Sequence, residues 1–222
     1  MKTGLFVLLL ALAGPAAQAA ELTGDALWQR MRSGGVTVLM RHAQTVPGIG
    51  DPPGFLLGQC PTQRNLSNTG RRDARSIGAA FRKRGIDPGA VWSSRWCRCL
   101  DTARLAFGRF RPEPSLDSMF NDDTARSGAK LRGLHARLAA RKEATLLVLV
   151  THDVNIRALT GQSLAPGEML LTVLRGGKLE VLGRLTADDE TVAHMPGQQA
   201  RSGISGVESV PVVKGITSGR TA

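Results

Sequence analysis

The sequence is poor in the residues that usually hold metals or staple small folds. It has three cysteines, Cys60, Cys97 and Cys99, and four histidines. The C-x-C spacing at 97 and 99 is wrong for a zinc knuckle, and no His-rich partner set lies nearby, so no metal site is expected. Beyond the first 20 residues there is no second long apolar run. No stable membrane insertion of the remaining chain is therefore expected. Ser67 and Ser163 lack the strand-turn-helix context of a nucleophile elbow, which argues against a serine hydrolase. No internal repeat is found.

Positive charge, by contrast, is abundant. The 29 Lys+Arg against 18 Asp+Glu give a formal net charge of +11. Between Arg64 and Arg111 stand 12 basic and 3 acidic residues. Such a field attracts anionic partners. The stretch has no interleaved aromatic platforms, no helix-turn-helix pattern and no zinc-finger spacing, so nucleic acid is not the expected partner. The N-terminus has Lys2, an apolar run from Leu5 to Leu12, and small residues at Ala17-Gln18-Ala19. That is the layout of a secretory signal peptide over residues 1–19, with an uncleaved anchor as the alternative. The mature chain is expected to begin near Ala20, with net charge +10 and a periplasmic or secreted location. In an oxidising compartment three cysteines suggest one disulfide plus one free thiol, against three unpaired buried thiols.

The remaining pattern alternates strands with helices, which predicts a layered α/β/α sandwich with a mostly parallel sheet over residues 20–186. A first helix is expected through Ala26, Leu27 and Met31, capped by Thr23. Val36 to Met40 and Ala144 to Val150 read as strands covered on both faces. A Gly/Pro-rich loop runs from Pro47 to Gly58. A helix capped by Ser67 or Asn68 ends at Gly85, and a short strand at Val91-Trp92-Ser93 leads into a helix from Trp96 to Phe107. Further helices are predicted over Lys130–Lys142 and Val154–Thr160. A hairpin follows, with strands Met169–Leu174 and Lys178–Leu185 and its turn at Arg175-Gly176-Gly177. Residues 187–222 read as a disordered or loosely docked tail.

In open α/β sheets ligands bind at the carboxyl ends of parallel strands. Here one apolar strand ends in Arg41-His42 and another in Thr151-His152-Asp153. The Val91 strand gives Ser93-Ser94 and then Arg98. Two imidazoles and two guanidiniums converging at one edge suit phosphoryl transfer. Guanidinium forks grip phosphate oxygens bidentately. Each such charge pair contributes roughly 4 kcal/mol at about 4 Å and an effective dielectric near 20, before desolvation is subtracted. The arginines also disfavour protonation of His42, keeping it a neutral nucleophile, while His152 is expected to donate to a phosphate oxygen. No metal or other cofactor enters this scheme. Pairing Cys60 with Cys97 would tie two of these segments together.

These segments resemble the histidine phosphatase (phosphoglycerate mutase-like) superfamily. Arg41-His42-Ala43-Gln44-Thr45 is similar to its Arg-His-Gly motif. Leu66-Ser67-x-x-Gly70-Arg71-x-x-Ala74 resembles the helix after the site loop, and Ser93-Ser94-x-x-x-Arg98-x-x-x-Thr102-Ala103 resembles the segment with the second phosphate arginine. Thr151-His152 looks like the second-histidine strand end. A closer likeness is to the secreted bacterial branch typified by lipopolysaccharide core heptose phosphate phosphatases. It is carried by Gly50-Asp51-Pro52-Pro53-Gly54-Phe55, Thr62-Gln63-Arg64-Asn65-Leu66-Ser67 and His152-x-x-Asn155-Ile156-x-Ala158-Leu159-Thr160-Gly161.

The resemblance implies His42 as nucleophile and Arg41, Arg98 and His152 as phosphate pocket, with Arg64 or Asn65 as a further ligand contact. The implied partner is a small-molecule or lipid-linked phosphate. Two departures stand out. Ala43 replaces the glycine, and Asp117 lies one position from the family's middle acid. Asp153, beside His152, resembles the His-Asp pair of the acid-phosphatase branch and is preferred over Asp117 as proton donor. Arg95 either lines the pocket or faces solvent. His135 and His194 read as structural or incidental. The variable lid is read as Pro47–Gly58 plus Phe120–Gly128.

Overall fold

The structure, a computed structural model, describes residues 22–188. The expected signal peptide and almost all of the expected tail, with His194, lie outside the described residues. Five helices and six strands follow in order: α1 Gly24–Arg32, β1 Thr37–Arg41, α2 Asn68–Lys83, β2 Ala90–Ser93, α3 Cys97–Phe107, β3 Arg111–Pro112, α4 Thr124–Ala139, β4 Leu147–Thr151, α5 Asp153–Thr160, β5 Met169–Arg175 and β6 Lys178–Leu185.

They build one sheet in the order β3-β2-β4-β1-β5-β6. β1, β4, β2 and β3 run parallel, while β5 and β6 are antiparallel. Side-chain alternation sorts the strands' residues to two faces. Val38, Met40, Val148 and Val150 pack with Leu27 and Met31 of α1, Ile77 and Phe81 of α2, and Ala103 of α3. Leu39, Leu147 and Leu149 pack on the opposite face with Leu134 and Leu138 of α4 and Ile156 of α5. Both faces of the central strands are thus covered, giving the expected three-layer α/β architecture with a mixed sheet.

Local chemistry sets several boundaries. Ser67 caps α2, its Oγ accepting from the Gly70 N–H at 3.0 Å. Thr23 stands at the start of α1 but makes no side-chain cap. The carboxylate of Asp123 accepts from the Arg126 N–H at 2.8 Å and so starts α4 at Thr124, six residues before the expected Lys130. The last part of the expected Phe120–Gly128 lid is therefore helix. The short β3, made of exposed Arg111 and Pro112, has no apolar pattern that would reveal it. Gly70 permits close approach of α2 to the loop after β1, since a Cβ there would stand 1.9 Å from the Gln44 carbonyl oxygen. Among the described residues no helix is long and apolar enough to cross a membrane.

Candidate active site

Because β1, β4 and β2 are parallel, their carboxyl ends share one edge. The registers pair Arg41 with Thr151 and Ser93 with Val150. Immediately beyond, the His42 N–H donates to the Thr151 carbonyl at 3.0 Å and the Ser94 N–H to the Val150 carbonyl at 2.9 Å. This stitching brings the His42 and His152 rings edge to face, with centroids 5.4 Å apart. A cavity of about 600 Å³ opens above them, lined by Arg41, Arg64, Arg98, both histidines and Asp153, among others.

His42 is 4% exposed. Its Nδ1 lies 2.9 Å from the Ala43 carbonyl oxygen, which can only accept. Nδ1 therefore carries the proton, and the Nε2 lone pair is free. Burial, then the charges of Arg98, Arg41 and Arg64, lower the His42 pKa to about 3, against a raising contribution from the Ala43 carbonyl. The neutral ring expected of a nucleophile is thus enforced at physiological pH. The Ala43 methyl that replaces the expected glycine is fully buried against Leu66 and Ala74, and the Ala43 N–H donates to Thr102 Oγ1 at 3.0 Å. The local packing accommodates the extra carbon.

The arginines reach the cavity from separate elements. Arg41 Nη1 donates to the Leu164 carbonyl at 2.5 Å. Arg64 Nη1 donates to Thr45 Oγ1 at 2.7 Å and the Gly48 carbonyl at 2.8 Å. Arg98 Nη1 lies 2.7 Å from Asp51 Oδ1. In all three guanidiniums the Nε–H is buried without an acceptor. Unsatisfied buried donors are costly, and three around one cavity fit an anionic guest. Burial, and the charges of Arg98 and Arg41, lower the Arg64 pKa, while Asp51 opposes them.

His152 Nε2 lies 2.9 Å from Ser94 Oγ, which in turn is 3.4 Å from Asp117 Oδ1. Burial, then the neighbouring His42 and Arg98, hold the His152 pKa well below its ordinary value. Asp117 is 2% exposed. Its carboxylate accepts from the backbone N–H, Nε and Nη2 of Arg95 and does not line the cavity. It acts on the site through Ser94, and Arg95 serves as its partner. Asp153 does line the cavity, at the start of α5. Its Oδ1 accepts from the Leu164 N–H at 2.8 Å and its Oδ2 pairs with Arg157 at 2.6 Å.

Of the expected contact from Arg64 or Asn65, Arg64 lines the cavity. Asn65 turns from the cavity to brace its own loop, its Nδ2 donating to the Cys60 and Gln63 carbonyls at 2.6 and 3.0 Å. Arg64 alone of that pair reaches the pocket. His135, on α4, stands apart from the site lining.

Three residues that the sequence reading placed only within likeness motifs, without a role, contribute here. Gln63 Oε1 accepts from the Cys97 N–H at 3.0 Å, capping α3 just before Arg98. Asn155 Nδ2 donates to the Asp117 carbonyl at 2.9 Å and its Oδ1 accepts from the Met119 N–H at 3.2 Å, latching the 116–119 segment onto α5. Asp51 Oδ1 accepts from the Arg64 N–H at 3.0 Å besides its pair with Arg98, and its Oδ2 accepts from Trp96 Nε1 at 3.0 Å. Asp51 is the one acidic residue between Asp25 and Asp73, a signal that was there to be used. Cys60 and Cys97 form the disulfide, tying the 60–65 loop to the start of α3. Cys99 is free and buried, 3.5 Å from His152 Nε2, and burial pushes its pKa up to about 12.

The family model of the histidine phosphatase superfamily (branch 1) matches residues 37–122. No curated protein matches the chain. Among solved structures, a candidate alpha-ribazole-5'-P phosphatase from Escherichia coli K-12 is 15% identical with a TM-score of 0.52, covering 70% of this chain and 99% of that one. The product of an open reading frame of Mycobacterium tuberculosis is 15% identical with a TM-score of 0.51, covering 66% and 94%. A phosphoserine phosphatase mutant from Entamoeba histolytica, in complex with phosphoserine, is 15% identical with a TM-score of 0.50, covering 69% and 98%. The matched stretch contains three of the four motifs, those carrying Arg41-His42, Ser67-x-x-Gly70-Arg71 and Arg98, and the fold is shared with these proteins.

Proposed function

We propose that this histidine phosphatase superfamily chain hydrolyses phosphomonoesters through a phosphohistidine on His42. The observation that carries the reading is the neutral, Nδ1-anchored His42 beside three guanidiniums with unsatisfied buried donors. His42 Nε2 attacks phosphorus and the bond to the leaving oxygen breaks, with Asp153 giving that oxygen its proton. Water then attacks the phosphohistidine, Asp153 takes up a proton, and His42 is regenerated with release of phosphate. Arg41, Arg64 and Arg98 compensate charge as it builds on the equatorial oxygens. Guanidiniums supply the positive charge, so the cycle needs no metal ion.

The signal-peptide pattern of residues 1–19 supports export, and an exported enzyme would meet its substrate in the cell envelope, as a sugar or lipid-linked phosphate. The lid supports an amphipathic substrate. Of the six exposed large apolar residues among those described, Val46, Ile49, Leu56, Leu57 and Phe120 lie on it or beside it. Ile49 and Phe120 line the cavity with Arg126 and Lys130. A second reading, an envelope protein that binds phosphorylated ligands with little turnover, is favoured by the ion pairs that engage both Asp117 and Asp153.

The test is single-turnover labelling of the purified protein with an aryl phosphate, quenched without acid. Label on the native chain and none on His42→Ala, with multiple turnover lost in the variant, is expected. Undiminished hydrolysis by His42→Ala would sink the mechanism, and binding without turnover by the native chain would establish the second reading.

A further inference from the structure

The cavity already holds an anion of its own. Asp51 sits on the lid between Gly50 and Gly54, both with positive φ, and lines the same cavity as the two histidines. Its carboxylate and the Arg98 guanidinium are 7% and 4% exposed, with 2.7 Å between them. The remaining contacts of the carboxylate are with the Arg64 N–H and the Trp96 indole. Asp51 therefore occupies a guanidinium edge that the phosphatase reading needs for substrate.

We propose that Asp51 is a built-in counter-ion that an incoming phosphate displaces from Arg98, so that this lid residue sets phosphate affinity and product release. The inference rests on the phosphatase reading and refines it. Without an anion among them, Arg41, Arg64 and Arg98 would face one another unbalanced in a poorly solvated space, so the substrate-free pocket keeps a carboxylate there. A phosphate dianion and an ionised carboxylate on the same guanidinium repel each other. Burial raises the Asp51 pKa, but the hydrogen bond from Arg98 and that from the Arg64 N–H outweigh it and keep the group below its ordinary value, so protonation does not relieve the conflict at neutral pH. Movement does. The carboxylate is carried by a loop whose two flanking glycines adopt conformations that other residues resist, and that loop can withdraw as phosphate arrives. When product phosphate leaves, the carboxylate returns to Arg98, which speeds release.

The variant is Asp51→Asn, which keeps the shape and a carbonyl acceptor but removes the charge. Calorimetry with inorganic phosphate reads affinity without requiring turnover. The expected result is a Kd at least about tenfold lower than in the native protein, with a lower kcat on p-nitrophenyl phosphate because product leaves slowly. Trp96→Phe removes one anchor of the carboxylate without changing any charge, and should tighten phosphate by about threefold even if the first variant folds poorly. In the native protein, phosphate should also shift the Trp96 emission as Asp51 leaves the indole, a signal absent from Trp96→Phe. Unchanged or weaker phosphate binding in Asp51→Asn would overturn the proposal and leave Asp51 as a positioning residue. If native protein binds no phosphate and Arg98→Ala changes nothing, the phosphatase reading itself fails, a separate outcome.

Discussion

The Nδ1–H of His42 donates a hydrogen bond to the Ala43 carbonyl 2.9 Å away, so one backbone oxygen fixes the tautomer of the proposed nucleophile. The same ring has a pKa of about 3 against an ordinary 6.5. Between those values the unfolded chain binds a proton that the folded ring refuses. Stability contributed by the neutral ring is therefore present above pH 6.5 and is lost as pH falls toward 3. His152 acts in the same direction. The slope is about 1.4 kcal/mol per pH unit for His42 in that window. Thermal melts at pH 7 and 4.5 should show the native protein losing stability on acidification, and His42→Asn should flatten the loss.

The disulfide gives a second expectation. Cys60 and Cys97 close a loop across 37 positions, for which chain entropy predicts about 4 kcal/mol of stabilisation. The loop carries Gln63, which caps α3, and Arg64. Reduction should thus lower the melting temperature and also weaken phosphate binding, a pairing of effects that a remote staple would not give. Titration with a thiol reagent should find Cys99 slow to react in the native fold, because its thiol is buried and its pKa is near 12.

Much of this site could be read from the chain because its key residues end apolar strands. Val38-Leu39-Met40 and Val148-Leu149-Val150 announce buried strands, and whatever follows a parallel strand's carboxyl end meets its neighbours at the sheet edge. That logic located Arg41, His42 and His152. It gave Asp51 no role and could not choose between Arg64 and Asn65, since these lie in loops where no period ties side-chain direction to position. Asp51 reaches Arg98 across 47 positions through a turn rich in Pro and Gly, and only the folded chain shows which way it points. Asp117, the less favoured candidate for proton donor, is claimed by Arg95, a partner whose role the sequence left open.

Close packing at two helices sets up a contrast between glycines. Gly70→Ala would drive a methyl into the Gln44 backbone, two residues from the nucleophile, where neither side can yield. A loss above about 2 kcal/mol is expected, with activity falling in parallel. Gly128→Ala, on α4, meets only the end of the Arg132 side chain at 3.1 Å, so the gain in helix propensity should dominate, up to about 1 kcal/mol. Chemical denaturation of the two variants decides both signs.

The identity of the proton donor can be read from leaving groups. Alkoxide leaving groups need a proton in the transition state, whereas p-nitrophenolate leaves readily without one, so removing a general acid penalises the first far more than the second. Asp153 lines the cavity at the start of α5, where it pairs with exposed Arg157. Asp117 lies behind Ser94 and orients His152. Asp153→Asn should therefore slow an alkyl phosphate by roughly a hundredfold or more while slowing p-nitrophenyl phosphate less than about tenfold. Asp117→Asn, acting through His152 and Arg95, should slow both substrates by a similar factor. Equal losses for both substrates in Asp153→Asn would remove it from the reaction and leave leaving-group protonation to water or to His152.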